Sequence, residues 1–197
     1  MTLPLLILVP LVGGLAAWLV GRRSPDACRW FSLLVTLAEF MLVLALWARH
    51  FGGAVTDGPW LEVFEREWIP ELGIGVILAI DGLGLLMVVL TAFIGVMAVV
   101  VSWREIDERV GIYFACLLWV LGGITGVFMA LDLFLFYVFW EVMQIPMYFL
   151  IGVWGHERRI DAAVKIDIFT LVGGLSMLVS ILALYLTHAA ETVIHTF

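Results

Sequence analysis

Residues 110–153 read VGIYFACLLWVLGGITGVFMALDLFLFYVFWEVMQIPMYFLIGV, with charge only at Asp132 and Glu141. As one helix rising 1.5 Å per residue this stretch would be about 66 Å long, twice the ~30 Å thickness of a bilayer's hydrocarbon core. It has to fold back on itself. Asp132 is the break near its middle, so the expectation is a tight helical hairpin with spans at Val110 to Ala130 and Leu133 to Val153.

The rest of the chain repeats this pattern. Apolar runs at Leu3 to Val20, Trp30 to Ala48, Ile80 to Ser102 and Ala163 to Thr187 bring the expected spans to six. Each must satisfy its own backbone hydrogen bonds in lipid, which selects helices, and a barrel would show shorter, alternating segments. The fold class read from sequence is therefore all-α, a polytopic transmembrane helix bundle forming one domain over residues 1–197. Composition agrees: 64% of residues are hydrophobic and 14% charged, with a mean hydropathy of +1.14, far above a water-soluble domain. The first run lacks a basic leader and a small-residue cleavage site, so it reads as a retained span rather than a signal peptide.

Composition also excludes functions. The net charge is −7 and no basic cluster forms a nucleic-acid face. Cys28 and Cys116 lack the paired spacing of a metal or iron–sulfur site. The connections holding Arg22, Arg23, Arg29, Arg104, Arg109, Arg158, Arg159 and Lys165 fall on one side of the membrane, leaving Arg49 and Arg66 on the other. By the positive-inside rule the first side is cytoplasmic and both termini are periplasmic. The bacterial inner membrane is the expected location. Residues 49–79, rich in Gly and Pro, then form an outer-face loop. Within it Trp60 to Ile69 mixes aromatic and acidic residues, as either an interfacial segment or a short hairpin would.

The informative charges are those inside spans. Glu141 lies nine residues into the fifth span, about 13 Å from its outer end. A charged side chain there costs roughly 2.5–3.5 kcal/mol on insertion scales, so Glu141 should face protein or water and hold a partner or a proton. Gln144, one turn on, could support it by a hydrogen bond. Pro146 frees the carbonyl of Val142 beside it. Lys165, the sole lysine, begins the sixth span, about 15–20 Å away in depth. Ion or proton transfer is the favoured role for Glu141, against a neutral packing lock. Lys165 reads either as a member of a buried polar axis or as a side chain reaching for the headgroups, and Asp167 is placed with the same caution. Glu39, with Thr36 one turn before it, is the next buried polar candidate. Asp81 reads as a helix N-terminal charge, and Gly13, Gly14, Gly122, Gly123, Gly126, Gly173 and Gly174 read as helix-packing faces.

Leu131 to His156, with Trp68-Ile69-Pro70, Leu78-Ala79-Ile80-Asp81-Gly82-Leu83 and Val101-Ser102-Trp103-Arg104-Glu105, resembles the antiporter-like subunit M family of bacterial NADH:quinone oxidoreductase, respiratory complex I. The resemblance runs from Trp68 to Ala183 and implies a partial antiporter-like fold, the N-terminal six-span portion of a longer subunit, whether split or cut short. It implies that Glu141 is the membrane glutamate coupled to a lysine on a seventh helix, and that Lys165 belongs to the polar axis as a second proton-transfer residue. Asp167 departs from the pattern. The implied function is proton translocation driven by electron transfer from NADH to quinone elsewhere, with other complex I membrane subunits, including homologous antiporter-like ones, and the lipid bilayer as partners. NADH, FMN, iron–sulfur clusters and quinone are expected only at the level of the complex, and no redox chemistry in this chain. Mrp-type cation/proton antiporters and energy-converting hydrogenases share the glutamate and supply the alternative, beside a structural subunit with an inert Glu141.

Overall fold

A computed structural model describes residues 2–50, 58–69 and 74–194, with side chains followed to residue 187. Among these residues the order is α1 (Thr2–Gly21), α2 (Pro25–His50), β1 (Glu62–Ile69), β2 (Ile74–Ile80), α3 (Gly82–Val101), α4 (Val110–Met129), α5 (Leu133–Trp154) and α6 (Arg159–Ile194). All six expected spans are helices long and apolar enough to cross a bilayer. The hairpin inferred at Asp132 is present: its carboxylate accepts from the Leu135 backbone N–H at 2.9 Å and caps α5.

Several boundaries move, among them the opening of α6 at Arg159 instead of Ala163. α2 begins at Pro25, earlier than its apolar run, because Ser24 accepts from the Ala27 N–H at 3.3 Å and Pro25 tolerates the first helical position. It also continues through Arg49 and His50, shortening the expected loop over residues 49–79. Within that loop the hairpin reading of Trp60 to Ile69 is the one realised: β1 and β2 pair antiparallel from Glu62↔Ile80 to Ile69↔Ile74. Ile80 therefore ends a strand instead of opening the third span, and Asp81 caps α3 by accepting from Gly84 N–H at 2.6 Å. Gly52, Gly53, Pro70 and Gly73 of the loop lie outside the described residues.

The hairpin sits over the end of the bundle where α1 begins and α4 finishes. Leu131 N–H donates to Ile77 O at 2.9 Å, Leu78 bridges Ala130, and Thr2 Oγ1 donates to Glu62 at 2.8 Å. Leu78, Ala79 and Ile80 are buried by this docking, while Val63 and Trp68 remain exposed. The opposite end of the bundle holds Arg22, Arg29, Arg109 and Arg159.

α4 is the hub, packed against α1, α2, α3 and α5, whereas α6 packs on α5. Small residues permit these approaches. Gly111 meets Gly21 of α1 backbone to backbone, Gly122 receives Leu11, and Gly123 and Gly126 receive Met143 and Phe139 of α5. The core comprises two apolar clusters. One, beside the hairpin, includes Leu3, Leu6, Val43, Leu46, Leu85 and Met129. The other, near the arginines, includes Ala17, Cys28, Val99, Phe114 and Leu118. Between them the buried face of α2 is polar: Ser32, Thr36 and Glu39.

Candidate functional site

Glu141 lies on the face of α5 that meets α6. Its Oε1 rests against Gly174, where any Cβ would collide with it. The phenol of Tyr137, one turn earlier, interacts with the same carboxylate. α5 remains helical across Pro146, which is buried, so the carbonyl of Val142 has lost its usual donor without the span breaking. Glu141 itself is only partly buried, because α6 covers one side of it and is itself exposed along most of its length.

The contacts fix the relative depths of the other candidates. Phe139 fills the space at Gly126 and Met143 that at Gly123, so in this antiparallel pair Glu141 is level with Thr125. Gly174 faces Glu141 and Ala163 faces Gly152, which puts Lys165 level with Leu150, nine positions from Glu141 or about 14 Å along the axis. Lys165 is exposed and Asp167 partly so, and among the described ion pairs neither residue joins Glu141. Gln144 is 5% exposed, and its Nε2 has no hydrogen-bond partner among the described residues. It is brought into the bundle without being brought onto the carboxylate.

Glu39 is placed more deeply than the sequence suggested. It is fully buried, and its Oε1 accepts a hydrogen bond from Thr125 Oγ1 of α4 at 3.3 Å. Thr36, the neighbour visible in the sequence, instead donates to the carbonyls of Ser32 and Leu33 on its own helix. Because Thr125 is level with Glu141, both acids occupy one layer across the bundle, on opposite sides of α4. Thr125 was legible only as the lone hydroxyl within Gly122-Gly123-Ile124-Thr125-Gly126. Tyr137 was marked by its spacing of four from Glu141. Among the described residues no three His, Cys, Asp or Glu side chains converge as a metal would require.

A family model described as NADH:quinone oxidoreductase/Mrp antiporter, TM, matches residues 130–196, the part that carries Glu141 and Gly174. Over its full length the chain is 46% identical to NADH-quinone oxidoreductase subunit M of Escherichia coli (strain K12). The chain is similar, over its whole length, to this family of membrane subunits. It is likewise 46% identical to subunit M of Pseudomonas aeruginosa. The chain spans about 40% of the Escherichia coli relative's length and 41% of the other's. Among solved structures, respiratory complex I from Thermus thermophilus with bound NADH contains a similar chain at 29% identity and a TM-score of 0.76, covering 92% of this chain and 35% of that one. The Mrp complex from Dietzia sp. contains another at 25% identity and a TM-score of 0.74, covering 91% of this chain and 19% of that one. Both solved chains share this arrangement of membrane helices over more than nine-tenths of the present chain.

Proposed function

We propose that this chain contributes to proton translocation coupled to electron transfer from NADH to quinone in a respiratory complex I, with Glu141 as its proton-transfer residue. The observation that carries this reading is the carboxyl of Glu141, at mid-span against Gly174, on a face where α6 leaves room for further groups to approach. An acid held in the membrane interior is a functional group by default, since placing it there costs roughly 2.5–3.5 kcal/mol that a leucine would not. The remaining candidates take supporting places: Lys165 one end of a polar axis, with Asp167, Gln144 and Glu39 as polar neighbours. The partners are other membrane subunits of the complex, homologous antiporter-like ones included, and the redox groups belong to the assembly. Both termini face the periplasm of a bacterial inner membrane, with the arginine-bearing end of the bundle in the cytoplasm.

The testing substitution is Glu141→Gln, which keeps shape and removes the exchangeable proton. Loss of proton pumping by about a hundredfold or more, with the complex still assembled, is the expected result. Unchanged pumping would make Glu141 a structural residue. Likeness to the Mrp complex favours one second reading, cation/proton antiport by the same glutamate. Glu141-dependent sodium flux without NADH oxidation would distinguish that reading.

A further inference from the structure

Four buried side-chain polar atoms have no hydrogen-bond partner among the described residues: Arg29 Nε, Ser32 Oγ, Glu39 Oε2 and Gln144 Nε2. The first three lie on a single face of α2. Positions 29, 32, 36 and 39 advance by three or four residues, the helical repeat, so Arg29, Ser32, Thr36 and Glu39 form one row. The row rises about 15 Å from the arginine-bearing end to the level of Thr125.

Its surroundings leave these atoms few alternatives. Glu39 and Ser32 are both 0% exposed. α2 packs against α1, α3 and α4, and none of those helices contains Lys, Arg, His, Asp or Glu, so among the described residues no cation on a packed helix answers the Glu39 carboxyl. The Ser32 hydroxyl has the Cys28 sulfur beside it as a weak acceptor, and because that thiol donates its own proton to Ala17 O at 3.2 Å, the Ser32 oxygen receives no donor from it. Thr36 has given its proton to its own helix and retains acceptor capacity. At the far end Arg29 donates to Asp26 at 2.7 Å and to Asp107 at 3.0 Å, both of them well exposed to water. The row therefore starts at an aqueous surface, passes between the two apolar clusters and stops at a carboxyl oxygen.

Leaving a buried polar group unsatisfied costs about 1–3 kcal/mol, and internal water is the usual remedy where several polar partners converge. We infer that the Arg29–Ser32–Thr36–Glu39 face of α2 holds a file of water molecules through which Glu39 Oε2 exchanges its proton with the solvent at the arginine-bearing end. The exchange is balanced: the proton leaves Oε2 to the adjacent water as hydronium and returns by the same lane. This makes Glu39 a second protonatable site, independent of the role assigned to Glu141.

Infrared spectroscopy of membranes containing the full chain in its complex tests the lane, with the Glu39 carboxyl band isolated as the difference against Glu39→Gln. On transfer to D2O the band should shift within the mixing time. Ser32→Val, which removes the hydroxyl and fills the lane, should slow that shift by about tenfold or more, since exchange would then require local opening. Ser32→Ala, without added bulk, should slow it several-fold and serves if valine disturbs assembly. A band unshifted over hours in the native chain overturns the inference. So does a shift equally fast in the serine variants, or no Glu39-dependent carboxyl band at any pH the complex tolerates.

Discussion

Oε1 of Glu141 on α5 occupies the space where Gly174 of α6 would carry a Cβ. The glycine thus sets where the carboxyl points. Its neighbour Gly173 has open space around its own Cβ position, which provides an internal control.

Gly174→Ala should push the carboxyl or α6 out of place, an overpacking cost of about 1–3 kcal/mol. Proton pumping per NADH oxidised should fall by about tenfold while Gly173→Ala leaves it unchanged. Equal behaviour of the two variants would remove Gly174 from any positioning role.

Single cysteines at Ser24, Glu65 and His156 report the orientation of the spans. Glu65 lies exposed on β1, and His156 is exposed between α5 and α6. In cells with a permeabilised outer membrane, an impermeant thiol reagent should modify only the cysteine at 65. Modification at 24 and 156 but not at 65 would invert the topology.

Thr125 is the one hydroxyl donor to Glu39 among the described residues. Thr125→Val should therefore destabilise the chain by about 1–3 kcal/mol, because both carboxyl oxygens then lack a protein donor. Adding Glu39→Leu removes the stranded group and should recover most of the loss. Thermal unfolding of all four variants in detergent gives the coupling energy, expected at about 0.5–3 kcal/mol. Strict additivity would mean that the contact contributes nothing.

Gly111 tests whether α4 is the hub. A Cβ there meets the Gly21 backbone, which cannot rotate aside, whereas one at Gly82 meets nothing. Gly111→Ala should separate α1 from α4 and destabilise by about 1–3 kcal/mol, and Gly82→Ala should stay within about 0.5 kcal/mol of the parent. Proteolytic sensitivity of α1 in the membrane would follow the same order.

The sequence by itself determined the spans, because lipid requires about 20 apolar residues per crossing and closed backbone hydrogen bonds within each, and both conditions are local. The fold-back at Asp132 and the depth of Glu141 followed from helix rise alone. It left open whether Trp60 to Ile69 forms an interfacial segment or a hairpin, since strand pairing depends on Ile74–Ile80 lying opposite and on the α4–α5 corner it docks against. Nor could it pair Glu39 with Thr125, 86 positions apart, or assign Gly174 to Glu141 rather than to general helix packing. Those contacts depend on how helices are rotated and staggered against one another. Rotation and stagger are set by small residues and side-chain shape across interfaces, which a hydropathy pattern nearly uniform around each helix does not encode.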